Sequence, residues 1–224
     1  VNLIFFGDSL TWGKYGGSYF DALVPLLLQH TLINAGVGGD TVLNLLERLE
    51  NDVLAHQPDG VFIMIGGNDA ISYSQPATRQ YYRNAKHIPD GVVTPDQFAL
   101  AYRDLLTRLH AAHILAWVGL PPIEQNPTVV NALRHYNALA EEIARTLNIP
   151  VLDLMAAFTP AAIPERPPLG MDTILTIGKR ESTGWNDYET ARNEGGYTFT
   201  FDGLHLMPSA AEQAARLIAA FIEG

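Results

Sequence analysis

Cysteine is absent from this 224-residue chain. That excludes a disulfide scaffold, a thiolate nucleophile and any metal site built on thiolates, and it fits an oxidising or a reducing compartment equally. Positive charge is scarce, with 14 Lys and Arg against 24 Asp and Glu and a formal net charge of -10. No basic cluster is present to neutralise a phosphate backbone, so nucleic acid and strongly acidic polymers are not expected ligands. Long apolar runs are missing as well, none approaching the ~18 residues of a membrane span. A content of 47% hydrophobic and 17% charged residues leads to the expectation of a soluble globular protein.

The chain opens on Val1, just before an apolar run, without the basic, apolar and small-residue order of a signal peptide. The expectation is a removed leader or a trimmed start, which leaves the compartment open between cytoplasmic and secreted or periplasmic. Domains commonly run to roughly 100–200 residues, so residues 1–224 are expected to form one domain.

Short apolar runs at Leu3–Phe6, Leu32–Ala35, Val61–Ile65, Ile114–Val118 and Ile149–Leu152 read as five buried strands. Between them, helical spacing links Val42, Leu45, Leu46 and Leu49. It links Phe98, Tyr102, Leu105, Leu106 and Leu109, and again Leu133, Tyr136, Ala140, Ile143 and Leu147. This β-α alternation predicts an α/β fold, a five-stranded parallel sheet with helices on both faces. Thr94-Pro95-Asp96-Gln97 and Ser209-Ala210-Ala211-Glu212 both fit a capping box, and Asp40 is placed to cap the helix of Val42 to Leu49. Two stretches, 70–93 and 159–200, show no strong period and are expected to be lid-like insertions at the carboxyl ends of strands, where open α/β sheets bind ligands. Internal repeats and low-complexity tracts are absent.

Four short segments carry the chemistry: Gly7-Asp8-Ser9-Leu10, Gly36-Val37-Gly38-Gly39-Asp40, Gly66-Gly67-Asn68-Asp69 and Asp202-Gly203-Leu204-His205. Each alone reads as a turn, because Gly and Asn tolerate positive φ. Three follow apolar runs and the fourth precedes a helix, so all can converge at one end of a parallel sheet. A serine becomes a nucleophile only beside a base, and that base needs a third group to hold its tautomer. Asp202 and His205, three residues apart across a turn, fit base and orienting acid, leaving one imidazole nitrogen for Ser9. The oxyanion of acyl transfer needs preorganised donors, for which the Ser9 and Gly39 amides and the Asn68 side chain are the natural trio.

In these residues the sequence resembles the SGNH, or GDSL-type, hydrolases, including the opening Gly-Asp-Ser-Leu-Thr-Trp-Gly. The resemblance implies Ser9 as nucleophile, His205 as base and Asp202 as its partner, with Ser9, Gly39 and Asn68 in the oxyanion hole. It also implies a three-layer α/β/α sandwich with a flavodoxin-like sheet and no cofactor. Substrate is not fixed by fold. Trp12, Tyr73 and Trp185 are expected at the substrate, as surfaces for a sugar or a short acyl chain. No leucine- or phenylalanine-rich amphipathic segment stands out in either insertion, which disfavours a long-chain interfacial lipase. The expected activity is therefore hydrolysis of short acyl esters, acetyl foremost, of a small-molecule or carbohydrate substrate.

The alternatives within the family are a lysophospholipase, thioesterase or acyltransferase. A dinucleotide-binding oxidoreductase is the rival suggested by Gly36-Val37-Gly38-Gly39-Asp40-Thr41, but the fingerprint needs a third Gly where Thr41 stands. A non-catalytic carbohydrate-binding module is disfavoured by the complete residue set. His110 and His113 hint at a metal, yet lacking a third ligand nearby they read as the end of a helix, and no metal is assigned.

Overall fold

A computed structural model describes residues 1–224. Five strands, β1 (Asn2–Gly7), β2 (Thr31–Gly36), β3 (Gly60–Met64), β4 (Leu115–Leu120) and β5 (Val151–Asp153), form one parallel sheet in the order β2-β1-β3-β4-β5. Strand side chains alternate between faces, and the two faces of the sheet bury separate cores. Ile4, Phe6, Val61, Ile63 and Val118 pack against α3 (Val42–Asp52), α6 (Pro95–Ala111) and α7 (Pro127–Thr146). Leu3, Phe5, Phe62 and Met64 pack against α2 (Tyr19–Leu23) and α11 (Pro208–Glu223), with Leu154 and Phe158 of α8 (Leu154–Phe158) beside them. The result is the three-layer α/β/α sandwich. Chain direction across the sheet reverses between β1 and β3, the switch point at which such sheets open a crevice beyond their carboxyl ends.

Helix starts follow local chemistry, with two corrections. Thr94 and Gln97 exchange the two bonds of a capping box at 3.3 and 2.9 Å. Ser209 does not cap α11: Pro208 takes the first helical position and Met207 stands before it in extended geometry, because proline suits that position and forces its predecessor out of the helix. Asp40 does not cap α3 either. Thr41 holds the cap position, its N–H donating to Asn44 Oδ1 at 3.1 Å, while Asp40, one residue too early, accepts from Arg48 and Lys86 at 2.8 Å each.

Both aperiodic stretches are well furnished with helix. The first overlaps α4 (Gly67–Ser74) and contains α5 (Arg79–Ala85); the second contains α9 (Met171–Ser182) and α10 (Tyr188–Gly195). Ala70, Ile71, Tyr82, Ile88 and Val93 anchor the first in the core, while polar ties help to hold the second. Arg166 donates to the carbonyls of Glu124, Gln125, Gly195 and Gly196 at 2.7–3.2 Å and lies 3.9 Å from the Tyr197 ring centre. No helix is long and apolar enough to cross a membrane.

Candidate active site

Ser9 opens the one-turn helix α1 (Ser9–Trp12) directly after β1, with Asp8 at its N-cap accepting from the Leu10 N–H at 3.0 Å. The Gly39 turn follows β2, and Asn68 is the second residue of α4 after β3. All three sit at the carboxyl end of the sheet, around its switch point. His205 arrives from the far end of the chain, in the turn closed by the Thr200–Leu206 bridge just before α11.

The structure brings Ser9, Asp202 and His205 into one hydrogen-bonded line. His205 Nε2 is 3.0 Å from Ser9 Oγ, and His205 Nδ1 is 2.8 Å from Asp202 Oδ2. Asp202 Oδ1 also accepts from the backbone N–H groups of Leu204 and His205 at 2.9 and 2.8 Å, so the carboxylate is locked into its own turn. Gly203 turns there at φ +86, where a Cβ would collide with Gln125. Burial works to push the Asp202 carboxyl up, but the His205 charge and these hydrogen bonds hold it below its ordinary value. For His205 burial pulls down, and the Asp202 charge and hydrogen bond, with Asp8 and Glu181 adding, raise the imidazole above its ordinary 6.5. Tyr15 meets the ring edge-on at 5.0 Å and Phe201 stacks at 6.1 Å, which fixes its plane.

Ser9, Gly39 and Asn68 each bring an N–H donor to the same cavity. Neither the Ser9 nor the Gly39 N–H donates to another group of the chain. Gly39 turns at φ +78, and a Cβ there would run into the Tyr81 hydroxyl. The Asn68 side chain donates to Asp8 Oδ2 at 3.2 Å and accepts from the Tyr82 hydroxyl at 2.9 Å. Burial pushes Asp8 up to about 6, opposed by the Leu10 N–H, His205 and Asn68, with Asp40 adding to the rise.

Ser9, Gly39, Asn68 and His205 line a cavity of about 950 Å³, the size range of ligand pockets in general. Trp12 lies on its wall, with the Lys14 ammonium 4.8 Å from its ring. Tyr73 and Trp185, expected at the substrate, do not line it. Tyr73 points outward, half-exposed, with its edge against Tyr136. Trp185 packs behind His205, against Tyr188 and Phe201, with Arg180 over its face at 3.9 Å.

Much of the opposite wall is α9, which presents Met171, Ile174, Ile177 and Gly178 to the cavity beside the polar Lys179 and Glu181. A short amphipathic helix is therefore present in the second insertion, although it is not rich in leucine or phenylalanine. Its apolar residues Met171, Ile174, Leu175 and Ile177 are confined to about two turns, which conceals the pattern. Two further residues bear on the site without any local signal. Tyr82 holds Asn68, and the buried Glu124 carboxylate accepts from the N–H groups of Thr198, Phe199 and Thr200 and the Thr200 hydroxyl at 2.6–2.9 Å, anchoring the segment that leads into Asp202.

A hydroxyl, an imidazole and a carboxylate thus stand in line at the carboxyl end of the sheet, and likeness to known proteins shows a carboxylic ester hydrolase of the serine type. The chain belongs to the GDSL-like lipase/acylhydrolase family, whose model matches residues 5–175. That span contains Ser9, Gly39 and Asn68 and ends before Asp202 and His205. The chain is 30% identical over 182 residues to an acetylxylan esterase of Geobacillus stearothermophilus, covering 70% of this chain and 77% of the relative. Among solved structures it is similar to the acetyl xylan esterase AlAXEase, at 21% identity, covering 99% of this chain and all of that one, with a TM-score of 0.68. A lipase/acylhydrolase from Enterococcus faecalis matches at 21% identity and a TM-score of 0.65, covering 100% of this chain and 95% of the other. At that identity the structural likenesses show the fold.

Proposed function

We propose that the enzyme hydrolyses short-acyl carboxylic esters, acetyl foremost, carried on a carbohydrate or similarly bulky alcohol, through an acyl-enzyme on Ser9. The observation that carries this is the Ser9–His205–Asp202 line at 3.0 and 2.8 Å. Ser9 Oγ attacks the ester carbonyl carbon as His205 Nε2 takes the hydroxyl proton, and Asp202 holds the other ring nitrogen and the imidazolium charge. The N–H groups of Ser9, Gly39 and Asn68 hold the oxyanion. Collapse breaks the bond to the alcohol oxygen, which leaves with the proton from His205. Water then attacks the acyl carbon, giving its proton to His205, and the acid departs as Ser9 regains its hydrogen.

Acetyl on a sugar is supported by the likeness to the acetylxylan esterase. The 159–200 insertion, through α9, is the lid of this single domain and sets the fit of the substrate. The apolar residues of α9 favour a second reading, an acylhydrolase for longer chains. Rates on p-nitrophenyl esters from acetate to palmitate, with acetate release from acetylated xylan, separate the two. A maximum at acetate or butyrate that is lost by about 10⁶-fold in Ser9→Ala supports the first. A maximum at long chains moves the assignment to the second, and activity unchanged in Ser9→Ala overturns both.

A further inference from the structure

We propose that Tyr82 is a positioning residue of the oxyanion site, its hydroxyl fixing which end of the Asn68 amide faces the cavity. This rests on the reading of Asn68 as an oxyanion donor. An asparagine side chain has an acceptor end and an end with two N–H donors, and the two have nearly the same shape. Only one orientation stabilises an oxyanion. Reversed, the amide would aim a carbonyl oxygen at the developing negative charge.

Two contacts determine the orientation. The Tyr82 hydroxyl donates to Asn68 Oδ1 at 2.9 Å, and it makes no other hydrogen bond. Tyr82 is buried, and burial first of all, with the negative groups around it, keeps its phenol protonated, so it can donate. On the other side, Asn68 Nδ2 donates to Asp8 Oδ2 at 3.2 Å. That uses one of the two N–H bonds and leaves the second free. A reversed amide would set Oδ1 against the Asp8 carboxylate, acceptor against acceptor, and would lose the Tyr82 bond. Asp8 is itself held by the Leu10 N–H at 3.0 Å, so both ends of the clamp are fixed. Helix α5 thereby braces two donors at once, since Tyr81 closes the space beside Gly39 while Tyr82 holds Asn68.

The test is a double-mutant cycle on p-nitrophenyl acetate using Tyr82→Phe, Asn68→Ala and the double variant, each checked for an unchanged thermal midpoint. Tyr82→Phe keeps the buried ring and removes only the hydroxyl. It is expected to lower kcat about tenfold with KM within twofold. Asn68→Ala is expected to lower kcat by about 10²–10³, and adding Tyr82→Phe to it should cost nothing more. Tyr82→Phe at wild-type kcat, or a tenfold loss that persists in the Asn68→Ala background, would overturn the positioning role while leaving the oxyanion assignment intact. Wild-type kcat in Asn68→Ala would remove the oxyanion assignment and the proposal with it.

Discussion

On the strand side of the cavity, Asp8 and His205 are buried and hydrogen-bonded, and Asp202 accepts three bonds inside its own turn. On the helix side, α9 runs for 12 residues without burying one of them. Each polar group on the strand side is desolvated and held by a specific partner, which suits the placement to about 0.5 Å that a reacting constellation demands. The helix side rests on few contacts and belongs to the low-stability part of the fold, from which substrate-gripping elements are commonly drawn. Under the proposed function, chemistry and selectivity fall to regions of different rigidity, so substitutions in one should leave the properties of the other largely intact.

Short of removing Ser9 itself, the largest effect is expected from Asp202→Asn, which leaves the geometry nearly unchanged but presents the wrong hydrogen-bonding pattern to His205. A fall in kcat of about 10⁴ is expected. The same variant tests the electrostatics. His205 must be neutral to accept the serine proton, and its folded value is raised, so kcat/KM in the wild type should rise with pH through a midpoint above 6.5. Removing the Asp202 charge takes away the main influence that opposes burial, leaving Asp8 and Glu181, and the residual acid limb should move to lower pH. A limb that stays in place in a pH–rate profile would count against the pairing.

Glu124→Gln should come next. Its amide end would face N–H donors of the 198–200 segment that now point at a carboxylate, with a destabilisation of about 2–3 kcal/mol. Because this segment leads straight into Asp202, activity and thermal midpoint should fall together. A stable variant with full activity would show that the triad turn needs no anchor from the insertion.

The smallest effect on the chemistry should follow Ile174→Ala combined with Ile177→Ala in α9. Turnover of p-nitrophenyl acetate is expected within about threefold of wild type, and stability within about 1 kcal/mol, as neither side chain is buried. Octanoate should lose about tenfold more than acetate, in line with the worth of apolar contacts in a pocket. Equal losses on both esters would dissolve the distinction between the two sides of the cavity.

The sheet was legible because each buried parallel strand is a short apolar run between turn residues, and Leu3 to Phe6 already shows it. The convergence of Ser9, Asn68 and the Asp202–His205 turn on one cavity was legible because each lies in a motif of three or four residues at a strand or helix end. Glu124 was not, since its partners lie 74–76 residues away, beyond the reach of any local pattern. Residue type alone also failed to sort the aromatics. Tyr73, Tyr81 and Tyr82 lie in one stretch, yet one faces outward and two meet the donors, a difference set by how α4 and α5 dock. Trp185 looked like a sugar platform and instead backs the aromatic stack behind His205.

Peptide mass mapping after exposure to a fluorophosphonate tests Ser9 as the nucleophile most directly. The expected result is one adduct, on the peptide that carries Ser9, absent in Ser9→Ala and formed far more slowly in His205→Ala. No adduct, or an adduct on another residue that abolishes esterase activity, would contradict a mechanism through Ser9.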